Sequence, residues 1–275
     1  MKETKTIAIV NYKGGTGKTT TTLNLGAALV NKGYKVLLID FDGQGNLTKA
    51  VTGLKNIDSI KETIATALTV VMSGGNEAKL PVTSTYKENL DLVPCNVSMA
   101  DTKTALIFAM ARETILKRCL EVVKESKKYD YILIDNAPSV EIDFINSLVA
   151  SDEALIVSSP DTFSTEGIQN LLLKYNSVKK YFNPQLKISG ILINNVDLRN
   201  NFTKDMVNVI KNHFESIKVF NTLIPSSIRV KESQAESKAV IDYEKNNKVA
   251  EAFSFFVIEY LNSKEYKYSE EKIVG

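Results

Sequence analysis

Eight residues near the amino end, Lys13-Gly14-Gly15-Thr16-Gly17-Lys18-Thr19-Thr20, have the composition needed to grip a polyphosphate. Glycines let backbone N–H groups turn inward around phosphate oxygens. A helix that opens at once adds its free N–H groups and positive end. Lys18 is then placed to reach the β- and γ-phosphates of a nucleotide, and Thr19 to offer its hydroxyl to Mg²⁺. The ordinary pattern G-x-x-x-x-G-K-[ST] needs Gly at position 12, where this chain has Tyr12. Two other stretches end in carboxylates: Val36-Leu37-Leu38-Ile39 runs into Asp40-Phe41-Asp42-Gly43-Gln44-Gly45-Asn46, and Tyr131-Ile132-Leu133-Ile134 into Asp135-Asn136-Ala137-Pro138. Acids at the carboxyl ends of parallel strands point into the crevice where ligands sit. Asp40 and Asp42 share a strand face if the strand continues. Such a pair can help hold Mg²⁺ or orient an attacking water, though either could instead cap the next helix. Asp135 is expected to hold Mg²⁺ through water.

Positioning these groups takes strands that alternate with helices. Strand-length apolar runs fall at Thr6–Asn11, Lys35–Phe41, Leu90–Pro94, Tyr131–Asp135, Ala154–Ser159 and Lys187–Asn194, with a shorter one at Val219–Ile224. Most are continuously apolar, which suits strands buried on both faces of a parallel sheet. Helical patterns cover Lys18–Asn31, stopped by Gly33, then a long stretch Ser98–Lys127, then Thr165–Tyr181, Phe202–Phe214 and Lys248–Asn262. Gly74-Gly75-Asn76 marks a turn between two helical patterns. The expected fold is α/β: a doubly wound, mostly parallel sheet with helices on both faces, as in P-loop NTPases. Residues 1–262 are expected to form one such domain, followed by a polar tail, 263–275.

The glycine loop resembles the deviant form K-G-G-x-G-K-T-T of the ParA/MinD group of ATPases, which carries an additional lysine early in the loop, here Lys13. The segment from Leu37 is similar to that family's LLIDxDPQGN, with Gly43 in place of Pro. Asp135-Asn136-Ala137-Pro138-Ser139 is similar to D-x-P-P-S with one proline lost. Thr222-Leu223-Ile224-Pro225-Ser226-Ser227-Ile228-Arg229-Val230-Lys231-Glu232-Ser233 resembles T-x-I-P-R-N-x-R-x-x-E-A, with Ser226 where arginine is common. Val240-Ile241-Asp242-Tyr243 follows the pattern after it. The likeness thus runs from about Thr6 to about Leu261.

This resemblance implies a partition ATPase of the ParA/Soj kind that uses ATP and Mg²⁺. It implies a face-to-face homodimer in which Lys13 reaches the partner's nucleotide. Asp42 takes the water-orienting role and Asp40 the Mg²⁺ and switch side. Gly14, Gly15, Thr16, Gly17 and Thr20 complete the phosphate contacts. Asn194, whose amide could read an adenine edge, and Pro225 are further nucleotide contacts. The resemblance also implies sequence-independent DNA binding by the ATP dimer. Arg199 and Arg229 sit in the matching segments, with Lys204, Lys211 and Lys231 in support, and a ParB-like adaptor would discharge the dimer.

Composition bears on the partners. The 275 residues are 44% hydrophobic and 24% charged, with a net charge of +2, as in a soluble globular protein. No apolar run reaches membrane-span length and the amino end lacks a signal-peptide pattern, so a cytoplasmic protein with no membrane partner is expected; the resemblance implies that it is nucleoid-associated. Between Asn170 and Lys231 stand ten Lys or Arg against three acids, a local excess suited to polyanions or simply to a solvated face. A MinD-like membrane-positioning role would need an amphipathic basic tail, and residues 264–272 show no apolar stripe. A metal-cluster carrier would need clustered cysteines, but Cys95 and Cys119 are isolated and His213 is the single histidine. An ATP-binding regulator of another apparatus stays open.

Overall fold

Strand residues alternate between two packed faces. Ile7 and Ile9 enter one core and Ala8 and Val10 another, all with no exposure. That two-sided burial is why the strands read as continuous apolar runs. In the computed structural model, which describes residues 3–75 and 79–263, these strands form one eight-stranded sheet.

The chain runs β1 (Lys5–Val10), α1 (Lys18–Asn31), β2 (Val36–Phe41), α2 (Asn46–Thr52), α3 (Ile64–Met72), β3 (Thr83–Ser84), β4 (Leu90–Val93), α4 (Met99–Phe108) and α5 (Ile115–Ser126). It continues through β5 (Tyr131–Asn136), α6 (Ile142–Ala150), β6 (Glu153–Ser158), α7 (Ser164–Tyr181), β7 (Lys187–Val196), α8 (Asn201–His213), β8 (Val219–Pro225), α9 (Arg229–Ala235), α10 (Val240–Tyr243) and α11 (Lys248–Leu261). The order across the sheet is β3-β4-β2-β5-β1-β6-β7-β8, and only the β3–β4 pair is antiparallel. β1 lies between β5 and β6, so the chain winds outward from it in both directions. This is the switch point where a doubly wound sheet opens a crevice at its carboxyl edge.

One core, under α1, α10 and α11, includes Leu25, Leu29, Phe253 and Phe256. The opposite face is covered by α3 to α5 around Leu68, Leu116 and Leu120, and by α6 to α8 around Phe144, Leu172 and Tyr175. Cys95 and Cys119 are both fully buried in the α3–α5 core. Gly33, at φ 90°, stops α1 as expected, its N–H bonding the Val30 carbonyl at 2.9 Å.

Two expectations need correction. The stretch Ser98–Lys127 is two helices, not one. The backbone is extended at Ala109 and left-handed at Ala111, with φ 52°. Buried Asn146 on α6 holds the break: its Oδ1 accepts from Leu116 N at 3.1 Å and its Nδ2 donates to the Arg112 carbonyl at 2.7 Å. The Gly74-Gly75 turn follows α3, but the next element is the edge strand β3; Asn76 lies outside the described residues. Of the expected tail only Ser263 is described, so 264–275 and the membrane alternative that turned on them lie outside the described residues. No helix among the described residues is long and apolar enough to cross a membrane.

Candidate functional site

The glycine loop links β1 to α1 at the switch point. Asn11 begins it, donating from Nδ2 to the Val157 carbonyl on β6 at 2.6 Å and accepting from Lys13 N at 2.8 Å. Gly15 and Gly17 hold φ of 77° and 91°, a conformation side chains resist. At Gly17 a Cβ would also stand 1.8 Å from Asn194 Nδ2. The first turn of α1 leaves the N–H groups of Lys18, Thr19 and Thr20 without i−4 partners, aimed where an anion can take them. Lys18, only 7% exposed, curls over the loop and donates from Nζ to the Lys13 carbonyl at 2.9 Å. Burial pushes its ammonium below the usual lysine range, against the pull of Asp135 and Asp42.

The loop, α2 and α9 bound a cleft of about 710 Å³. Gly14, Lys18, Thr19, Asp42, Asn195 and Lys231 lie on its wall. Asp135, next to last in β5, lies beneath: Oδ2 accepts from the Thr19 hydroxyl at 2.7 Å and Oδ1 faces the Thr22 hydroxyl at 3.2 Å. Burial, then repulsion from Asp40, pushes its carboxyl up to about 8, despite the Thr19 hydrogen bond and nearby Lys18. A buried carboxyl raised this far sits where positive charge is short. With the Thr19 hydroxyl it makes a hard-oxygen pair suited to Mg²⁺. No group of three or more His, Cys, Asp or Glu able to hold a metal exists among the described residues. Phosphate and water oxygens would therefore complete the shell, the usual arrangement for Mg²⁺.

The acids of β2 part company. Asp40 is fully buried and bound to α2, with Oδ2 accepting from Thr48 N at 2.8 Å and Thr48 Oγ at 2.7 Å and Oδ1 from Asp42 N at 3.2 Å. Burial raises it to about 6. It is thus a clamp on the start of α2 and not a group on the cleft wall, contrary to the shared strand face expected for the pair. The strand ends at Phe41, and Asp42 turns outward to the cleft with Oδ1 accepting from Gln44 N at 3.0 Å.

Asn194 also differs from expectation. It is 3% exposed, and its Nδ2 donates to the Thr16 carbonyl at 2.9 Å, propping the loop from behind instead of offering an edge to a base. The neighbouring Asn195, with φ 59°, swings to the cleft and reaches the Gly15 carbonyl at 3.2 Å. Pro225 lies off the phosphate cleft, on an adjoining groove of about 1030 Å³ shared with Arg199, Leu223 and Phe255.

Lys13 points away from the cleft that its own loop forms. Its Nζ pairs with Asp161 Oδ1 at 2.9 Å, beside the Phe163 ring. Burial opposes ionisation of Asp161, but hydrogen bonds from Ser159, Lys13, Phe163 N and Ser164 outweigh it and hold the carboxyl below its usual range. Asp161 lies after β6 in no recognisable motif; Asn195 could have been suspected only from the Asn194-Asn195 doublet.

The cationic candidates divide as well. Val196 pairs with Pro225, so the segments that lead to Arg199 and to Arg229, the first residue of α9, leave adjacent parallel strands at the carboxyl edge. Arg199 is held bidentately by Asp197 at 2.8 and 2.7 Å, and Arg229 bonds Glu232 at 2.7 Å and Glu244 at 3.1 Å. Lys204 and Lys211 lie seven residues apart on α8, hence on one face. Lys231 belongs to the cleft wall.

A family model described as an AAA domain matches residues 4–188. The sporulation initiation inhibitor protein Soj of Bacillus subtilis is 36% identical over 249 residues, covering 90% of this chain and 95% of Soj. The chromosome partitioning protein ParA of Caulobacter vibrioides is 32% identical, covering 87% of each. The septum site-determining protein MinD of Pyrococcus horikoshii, solved with Mg-ADP, superposes with a TM-score of 0.72 at 27% identity, covering 93% of this chain and 95% of MinD. With the glycine loop, its extra lysine and two acidic strand ends assembled at one switch point, this chain belongs to the ParA/MinD family of P-loop NTPases.

Proposed function

We propose that this chain is a partition ATPase: it binds ATP with Mg²⁺ in the cleft, closes face to face with a second copy, and in that form holds DNA without sequence preference. One observation carries the reading. The phosphate grip is built from the chain's own loop, yet the extra lysine of that loop is turned outward onto Asp161. That outward turn supports a role for Lys13 at a nucleotide other than its own.

Lys18 and the free N–H groups of loop and helix take the phosphates. Thr19 and Asp135 would hold Mg²⁺, which when bound neutralises phosphate charge. Asp42, on the cleft wall, orients the attacking water. On closure Lys13 leaves Asp161 and offsets charge developing on the partner's transferred phosphoryl group. The base is placed toward the adjoining groove that contains Pro225. Arg199, Arg229, Lys204 and Lys211 bind DNA phosphates, which would make the protein nucleoid-associated, and a ParB-like adaptor discharges it. The relatives named Soj and ParA support this reading over a membrane-positioning one.

The test is DNA binding with ADP, ATP and a slowly hydrolysed ATP analogue over a salt series. The expected result is tight binding with the analogue, weak binding with ADP, and affinity that falls linearly in log–log form as salt rises. Equal DNA affinity in all three nucleotide states would sink the proposal.

A further inference from the structure

The sequence groups Lys231 with the bases that face DNA, but α9 carries two different faces. Lys231 and Gln234 are three apart, hence on one side of the helix, and both line the phosphate cleft. Gln234 Nε2 lies 3.5 Å from the hydroxyl of Thr20, in the first turn of α1. Arg229 is two residues before Lys231, which puts it on another side, and there it meets Glu232 and Glu244.

The cleft wall holds three lysines and one carboxylate, Asp42. Two of the lysines already have backbone partners: Lys18 donates to the Lys13 carbonyl and Lys49 to the Gln44 carbonyl, each at 2.9 Å. Lys231 has no carboxylate within ion-pair distance among the described residues. It is an exposed ammonium on a flexible stem at the mouth of a phosphate grip. A bound polyphosphate brings several negative charges into a cleft where Lys18 is the loop's own cation. The remaining unengaged cation on the wall comes from α9.

We infer that Lys231 is a nucleotide-binding residue, supplying a second cation to phosphates gripped by the glycine loop, with Gln234 fastening α9 to Thr20. Arg229 and Lys231 then serve different polyanions from one short helix. This rests on the ATP reading above.

The test uses the full chain and Lys231→Gln, which removes the charge and leaves a shorter, polar side chain. Equilibrium binding of a fluorescent ATP analogue with Mg²⁺ should weaken roughly three- to tenfold, the range for one charge-assisted contact at an exposed rim. Lys231→Arg should restore most of the affinity. At saturating nucleotide, the salt dependence of DNA binding should match that of the unaltered chain. Nucleotide affinity unchanged in Lys231→Gln would overturn the inference. So would a DNA salt slope reduced by about one with nucleotide binding intact, which would return Lys231 to the DNA surface. An unaltered chain that binds no nucleotide at all would instead remove the ATP reading beneath it.

Discussion

At the scale of single residues, carboxylates at strand ends are easy to find and hard to aim. Asp40 and Asp42 look equivalent in sequence, yet Thr48 captures Asp40 with both its N–H and its hydroxyl. Nothing in the spacing announces that an acceptor will be taken by a residue eight positions later. Asn194 is the same case: its amide is committed to the loop carbonyl of Thr16. The buried clamp has a measurable signature. Burial holds the Asp40 carboxyl at about 6, so between about 4 and 6 the folded chain keeps a proton that the unfolded chain has released. Asp40 therefore contributes stability that is fully present below the unfolded value and lost as pH rises through about 6. The size is on the order of 2 to 3 kcal/mol. In Asp40→Asn that component should vanish. The check is urea unfolding of both proteins at several pH values across this window, without nucleotide or Mg²⁺. An identical pH dependence in the two proteins would show that Asp40 does not titrate there.

At the scale of elements, the sheet was largely legible because strands buried on both faces leave an unmistakable apolar run. The loop between β1 and α1 was legible for a related reason: two left-handed positions demand glycine, and both have it. What could not be read is the break between α4 and α5. Ala109, Met110 and Ala111 favour helix by intrinsic propensity, and no Gly or Pro stands between Ser98 and Lys127. The break is imposed from outside by Asn146, which takes the Leu116 N–H and the Arg112 carbonyl and so stabilises two helix ends instead of one continuous helix. Tertiary capture outweighs local preference there. Asn146→Ala leaves the buried Leu116 N–H without its partner and releases the part-buried Arg112 carbonyl, and the expected cost is about 1 to 3 kcal/mol. Denaturant unfolding would measure it, with limited proteolysis near 109–114 as a local readout. A loss under about 0.5 kcal/mol would mean that the break is held by packing alone.

At the scale of the whole molecule, charge is nearly balanced, but the basic residues crowd into the stretch that ends the sheet. Counting cations overstates what DNA would meet, because the two arginines of the partition reading are already engaged. Asp197 grips Arg199 through both oxygens, and that hydrogen bonding drives the carboxyl down to about 2, so it stays ionised at any working pH. A DNA phosphate must compete with that carboxylate for the same guanidinium fork. The pair is exposed, so the competition is mild and screened by salt. Removing the competitor should therefore help DNA by a small, salt-dependent factor. Asp197→Asn is expected to raise the affinity of the ATP form for DNA roughly two- to fivefold at low salt, with the gain shrinking as salt rises. The comparison is made at saturating nucleotide, because Asp197 lines the groove proposed for the base. Fluorescence anisotropy with a duplex of arbitrary sequence would measure it. If Asp197→Asn bound DNA no better at any salt concentration, Arg199 would not be a phosphate contact, and the DNA surface would have to be sought on α8 and at Arg229.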